Sequence, residues 1–150
     1  MAKVFDAPPD VFIDRLSVIL QEEKVVSPEW ISFVKSGVQA DRQPQDRNWW
    51  YKRCASIFRK IYLYGPMGIN DLKGVYGGGK PHGYGAAHHK DAGGSIIRTA
   101  VHELERLGYV EKKEKKGRVV SSTGMKKLDR LATDILKELS KENPILKVYL

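Results

Sequence analysis

The chain has 150 residues, 41% of them hydrophobic, which is enough for one domain with a buried core. Its net charge is +8 and its isoelectric point is near 9.5, so a polyanionic partner is expected, nucleic acid ahead of a membrane surface. One cysteine, Cys54, excludes an intramolecular disulfide and a cysteine-based zinc cage, and fits the cytosol.

Asp6 and Asp10 break the start of the chain too early for a signal peptide, and no apolar run approaches membrane-spanning length. Met1 to Ala7 is short enough to be either loose or packed. Pro8-Pro9-Asp10 opens a first helix, since proline suits the first turn and acids favour its positive end. Val11, Phe12, Leu16, Ile19 and Leu20 carry its spacing to about Glu23. Ser27-Pro28-Glu29 signals a second start, with Ser27 as N-cap and Pro28 at N1. Trp30, Ile31, Phe33 and Val34 then fill a short helix ending at Gly37, and Ala40 to Asp46 is a polar connector.

Asn48 to Gly65, NWWYKRCASIFRKIYLYG, predicts the central helix, with Asp46 as its N-cap and Gly65-Pro66 as its stop. Trp50, Cys54, Ile57, Phe58 and Ile61 fall on one side, widened by Tyr51, Ala55 and Tyr62. Lys52, Arg53, Ser56, Arg59 and Lys60 fall on the other, with Trp49 among them and no acid to neutralise them. One greasy face wants burial by several neighbours, and the basic face is offered to something anionic. Ile69 to Lys73 gives one or two helical turns.

Gly74 to Gly94 is so rich in glycine that it reads as a long mobile loop, carrying Lys80, His82, Tyr84, His88, His89 and Lys90. Ser95 starts another helix, with Ile96, Ile97, Ala100, Val101, Leu104 and Leu107 on one face and Ser95, Arg98, Thr99, His102 and Arg106 on the other. Gly108 stops it. Tyr109-Val110 and Val119-Val120 flank a charged turn and predict a β-hairpin. Ser122 or Thr123 caps the last helix, built on Leu128, Leu131, Ile135, Leu136 and Leu139 and ended by Asn143-Pro144. The apolar tail ILKVYL is expected to fold back onto the body.

The fold class is therefore mainly α: a helical bundle around a central amphipathic helix, winged-helix-like, with one short β-hairpin. Residues 1–150 form a single domain without repeats. In a winged-helix module one helix and the hairpin wing approach the nucleic acid. Arginine grips phosphate at two points and lysine adds point charge, so Arg53 and Arg59 lead the candidates, with Lys52 and Lys60 beside them. Trp49 is placed to stack on a base or ribose. The hairpin turn adds Lys112, Lys113, Lys115, Lys116 and Arg118 against Glu111 and Glu114.

Gly74 to Lys80 matches the front of a phosphate-binding G-x-x-x-x-G-K loop, but Pro81 stands where a magnesium-holding hydroxyl is required and INDLK is no hydrophobic strand. His82, His88 and His89 lack a carboxylate or cysteine frame, so no metal site is assigned; no cofactor and no catalytic arrangement is assigned either. The loop reads instead as a basic arm that orders against RNA.

The runs NWWYKRCASIFRKIYLYG, VYGGGKPHG, GGSIIRTAVHELERLGYVEK and GRVVSSTGMKKLDRLA, preceded by Pro28-Glu29-Trp30, together resemble the S-nineteen-e family of the small ribosomal subunit of archaea and eukaryotes. The order is the same, the likeness covers nearly the whole chain, and the GGGK loop and ILKVYL tail resemble archaeal members more than eukaryotic ones. The resemblance implies a helical bundle in the head of the small subunit, bound to rRNA beside neighbouring ribosomal proteins. It implies no catalytic site, and in eukaryotic relatives a part in small-subunit assembly and pre-rRNA maturation. It places the sensitive basic surface on Trp49, Arg53 and Arg59, with Arg98 and Gly117 as a second set. Gly117 reads as turn geometry rather than contact. No membrane or small-molecule substrate is expected, and the protein is expected to be monomeric off the ribosome. Two other readings are a winged-helix DNA-binding regulator using Ser95, Arg98, Thr99 and His102, and a nucleotide-dependent enzyme using Gly74 to Lys80.

Overall fold

The computed structural model describes residues 2–150, and the core forms around the apolar stripe of α2 (Trp49–Tyr64). Trp50, Cys54, Ala55, Ile57, Phe58 and Ile61 are all buried along it. α1 (Pro9–Glu22) lies against this stripe with Phe12, Leu16 and Leu20 fully buried. Further covering comes from α4 (Gly94–Arg106), through Ile97, Ala100, Val101 and Leu104. α5 (Ser122–Glu142) closes the core beside α1 with Leu128, Ala132, Ile135 and Leu136. Burying large side chains contributes about 1.5–3 kcal/mol each, so Trp50, Ile57, Phe58 and Ile61 together are worth as much as a domain's whole net stability. The Cys54 thiol has no exposed surface, and burial pushes its pKa far up.

The segment before α1 is packed rather than loose: Ala2, Val4 and Ala7 are buried. Lys3 pairs with Asp129 at 2.9 Å, and Tyr62 donates its hydroxyl to the same carboxylate at 2.7 Å. Met1 lies outside the described residues.

The chain is mainly α, as expected, and departs from the expectation in detail. Ser27-Pro28 leads only into a 3-10 turn, Glu29–Ser32, with Pro28 itself at the N-cap. A helix running to Gly37 is prevented because that stretch pairs elsewhere. Gly93 donates its amide to the Ser36 carbonyl at 2.9 Å, and Gly37 bridges Ala92. At the start of α2 the N-cap is Asn48, and Asp46 instead accepts the Asn48 amide in the turn before it.

The glycine-rich segment is not a loop. α3 (Ile69–Tyr76) runs further than its apolar residues suggest, and a hairpin follows: β1 (Gly78–His82) pairs antiparallel with β2 (Gly85–Lys90). Backbone pairing does not depend on side-chain propensity when tertiary contacts hold the root, and Ala92 is held by the Lys73 carbonyl.

The expected hairpin is β3 (Val110–Lys113) with β4 (Gly117–Val120). Tyr109, just before it, stacks on Phe58 of α2, with ring centroids 5.5 Å apart. Met67 and Arg118 exchange both backbone hydrogen bonds, at 3.1 and 2.8 Å. Met67 thus acts as a one-residue third strand, and the order α2, Met67, α3, α4, β3, β4 follows the winged-helix plan. Among the described residues there are two hairpins in separate sheets where one was expected.

The cap of α5 is Ser121, one residue before the expected pair: its hydroxyl accepts the Gly124 amide at 3.1 Å and donates to the Gly108 carbonyl at 2.7 Å. The tail does not fold back. Pro144–Tyr149 winds into a 3-10 turn capped by Asn143, leaving Ile145 75% and Val148 84% exposed. α5 has already closed the core beside α1, and the tail stays outside it.

Gly117 sits at φ +100, and a Cβ there would stand 2.5 Å from the Met67 carbonyl oxygen. Gly117→Ala is expected to cost about 2 kcal/mol, read as a lower urea midpoint. Ser121→Ala loses the cap and strands two backbone groups, at about 1–2 kcal/mol in the same measurement.

Candidate nucleic-acid interface

Because the apolar stripe fixes the rotation of α2, its opposite face stands at the surface with defined geometry. Tyr76, the last residue of α3, crosses that face. The Arg53 guanidinium lies 4.3 Å from the Tyr76 ring centroid and the Lys60 ammonium 5.6 Å from it. Ser56 and Tyr76 join their hydroxyls at 2.6 Å. Burial pushes the Tyr76 hydroxyl up to about 12, against the opposing pull of the Ser56 hydrogen bond and the Arg53 charge. Burial also lowers the Arg53 pKa, since the charged form is the one desolvated. Arg53 Nη1 and Arg59 Nε are buried and make no hydrogen bond. Among the described residues Arg53, Arg59, Lys60 and Arg98 make no ion pair. Desolvated guanidinium groups without a counter-charge are costly, and an incoming anion relieves that cost.

Lys52 differs. It is held by Asp46 at 2.7 Å and by Asp14 of α1 at 3.3 Å, so the acids missing from the helix itself arrive from outside it. Trp49 is half-buried, edge-on to Trp50 at 6.2 Å, and lines grooves on both sides of the start of α2.

α3 links this patch to a second one. Its Lys73 and the Arg98 side chain of α4 both lie close over Gly94, at 3.6 and 3.2 Å from where a Cβ would stand. Ser95, Arg98, Thr99 and His102 form one wall of a groove of about 620 Å3, and Trp30, Val34 and Lys35 form the other. Tyr76, Lys73 and Lys35 were not singled out from the sequence. The available signal for Tyr76 is its spacing of four from the buried Leu72, which extends α3 by a turn.

The remaining candidates divide. On β3–β4, Lys112, Lys113, Lys115 and Lys116 are exposed, whereas Arg118 turns inward and pairs with Glu105 at 2.9 Å, its side chain 14% exposed. On β1–β2, His82, Tyr84, His88, His89 and Lys90 are exposed. Lys80 pairs with Asp41 at 3.3 Å and His89 lies 3.4 Å from Asp91. Gly74 to Lys80 runs from the end of a helix into a strand, the reverse of the strand-to-helix order of a nucleotide-binding loop.

Fold and site together define a mainly α, winged-helix-like protein whose α2 and α4 display arginines without carboxylate partners, Arg53 among them against the Tyr76 ring. The chain belongs to the family described as Ribosomal protein S19e, whose model matches residues 3–138. It is 39% identical to the small ribosomal subunit protein eS19 of Aeropyrum pernix over 100% of both chains. It is also 39% identical to that of Haloarcula marismortui over 99% of both. The eS19A protein of Schizosaccharomyces pombe is 38% identical over 91% of this chain and 96% of its own. The archaeal relatives thus match essentially end to end, which agrees with the archaeal character of the GGGK loop and the tail.

Arg53 packs as well as charges. Arg53→Ala is expected to lower unfolding free energy by about 1 kcal/mol through loss of the Tyr76 stack, measured by urea unfolding, while Arg98→Ala, on an exposed face, leaves it unchanged.

Proposed function

We propose that the protein is a structural constituent of the small ribosomal subunit, in its head, and that it binds rRNA through the face built by α2, α3 and α4. The observation that carries this reading is the pair of partly buried, unpaired arginines, Arg53 and Arg59, ranged beside Tyr76. Affinity comes from neutralised phosphates and released counterions, so it falls steeply with salt. Specificity comes from the shape of a folded RNA surface more than from base edges. The lysines of the β3–β4 turn close over the same RNA. Neighbouring ribosomal proteins complete the site, and the protein works in the cytoplasm, on the ribosome. It is a monomer before incorporation and takes no cofactor or small-molecule substrate, and no catalytic step is assigned to it. By placing rigid cations on a folding RNA it assists subunit assembly and pre-rRNA maturation.

A winged-helix DNA regulator would use Ser95, Arg98, Thr99 and His102, which share their groove with Trp30, Val34 and Lys35.

The test is sedimentation of cell extract at low and high salt, following the wild type, Arg59→Glu and Arg98→Glu. The wild type is expected to travel with small subunits and to resist moderate salt. Each charge reversal is expected to keep native thermal stability and to lose most of that co-sedimentation. Wild-type protein remaining at the top of the gradient, or variants that incorporate normally, would overturn the reading.

A further inference from the structure

We propose that the β1–β2 hairpin grips an unpaired nucleotide, with its base stacked on Tyr84 and its phosphate between His82 and His88. This rests on the RNA-binding reading above and adds to it a contact with a single nucleotide, where the globular face meets only a folded surface.

The hairpin adds nothing to the core. None of its residues is buried, and β2 is exposed along its whole length. It carries no β-branched residue, and a lone two-stranded hairpin is marginal in water. Its root is nevertheless held firmly. Gln39 donates to the Tyr76 carbonyl at 3.2 Å, Gly37 bridges Ala92, and Asp41 pairs with Lys80. A structure secured at its base and unburied beyond it projects about 15 Å from the body, by the rise of its strands.

What it projects is specific. His82 pairs with Gly85, so the turn is the dipeptide Gly83-Tyr84, with Gly83 at φ +56. Tyr84 is 111% exposed, which is more surface than the same side chain shows in an extended reference chain. Its neighbours on both sides are glycines and it stacks on no other ring of the described residues, so both faces of the phenol are open. An aromatic ring held out in this way is the platform that unpaired bases use.

Behind the tip, the His82 and His88 rings stand 5.4 Å apart and tilted by 53°, and Lys80 is the cross-strand partner of His88. Residues 78–90 contain no carboxylate, and Asp41 and Asp91 lie outside the hairpin at its root. Two imidazoles at that separation can each direct an N–H to a different oxygen of one phosphate. Gly79, Gly85, Ala86 and Ala87 keep the surface between tip and body low, so a ribose-phosphate backbone can lie on it. A paired base keeps its faces inside the helical stack and out of reach of a hairpin tip, which makes the ligand a splayed nucleotide of a loop or bulge.

The experiment uses the full chain and two fluorescent probes, a short oligouridylate and an RNA duplex of about ten base pairs. Tyr84→Ala is expected to weaken oligouridylate binding about tenfold and to leave duplex binding unchanged, while Tyr84→Phe keeps both. The double variant His82→Ala/His88→Ala is expected to weaken oligouridylate binding severalfold. Equal binding of oligouridylate by wild type and Tyr84→Ala, or equal loss of both RNAs, overturns the proposal and leaves the broader reading standing. So does wild-type protein that binds the duplex but not the oligomer. Wild-type protein that binds neither probe and stays off small subunits in the gradient overturns both.

Discussion

The stripe Trp50, Cys54, Ile57, Phe58 and Ile61 can be buried in only one rotation of α2, and every other element takes its place from that. α1 and α4 cover the stripe, β4 meets its lower end, and the Phe58–Tyr109 stack ties the wing to the helix. Rotating α2 by half a turn would expose apolar surface worth on the order of 10 kcal/mol and unfold the domain. The basic face therefore inherits its position from the greasy one. Arg53 and Arg59 are held out by hydrophobic burial on the far side of the same helix, not by polar contacts of their own.

The positive charge of the molecule divides into two kinds. Lys52, Lys80 and Arg118 have carboxylate partners, and such pairs near the surface contribute little to stability. Arg53, Arg59, Lys60 and Arg98 have none, and two of the arginines keep a buried nitrogen without a hydrogen bond. The fold tolerates that strain because the core can carry it. Leaving such groups unsatisfied lowers stability in the isolated protein and raises what an anionic partner gains on arrival.

Much of this was legible in the chain because it is made by local or periodic causes. The stripe of α2 follows from a 3.6-residue period, α1 from Pro9 and its apolar spacing, and the β3–β4 hairpin from paired valines around a charged turn. What was not legible is made by distant residues. Asp14 reaches Lys52 from another helix, Tyr76 covers Arg53 only once α3 is docked, and Ser36 and Gly37 draw residues 92 and 93 into pairing. The β1–β2 hairpin has neither strand propensity nor alternation, so its glycines read as a loop. Its order comes from its anchored root. The cap of α5 was misplaced by one residue because Ser121, Ser122 and Thr123 are all competent caps, and only the position of the Gly108 carbonyl decides among them.

The complete burial of Cys54 has a practical side. The protein has a single thiol, and it lies at the middle of the helix on which the whole core is assembled. With the thiol sealed and its ionisation suppressed, alkylating reagents find no nucleophile while the core is closed. With a reagent fast enough to react before the core recloses, the labelling rate of the folded protein is then a count of how often α2 comes free of its neighbours. That gives a clock for core opening that needs no engineered probe and leaves the basic face of α2 untouched.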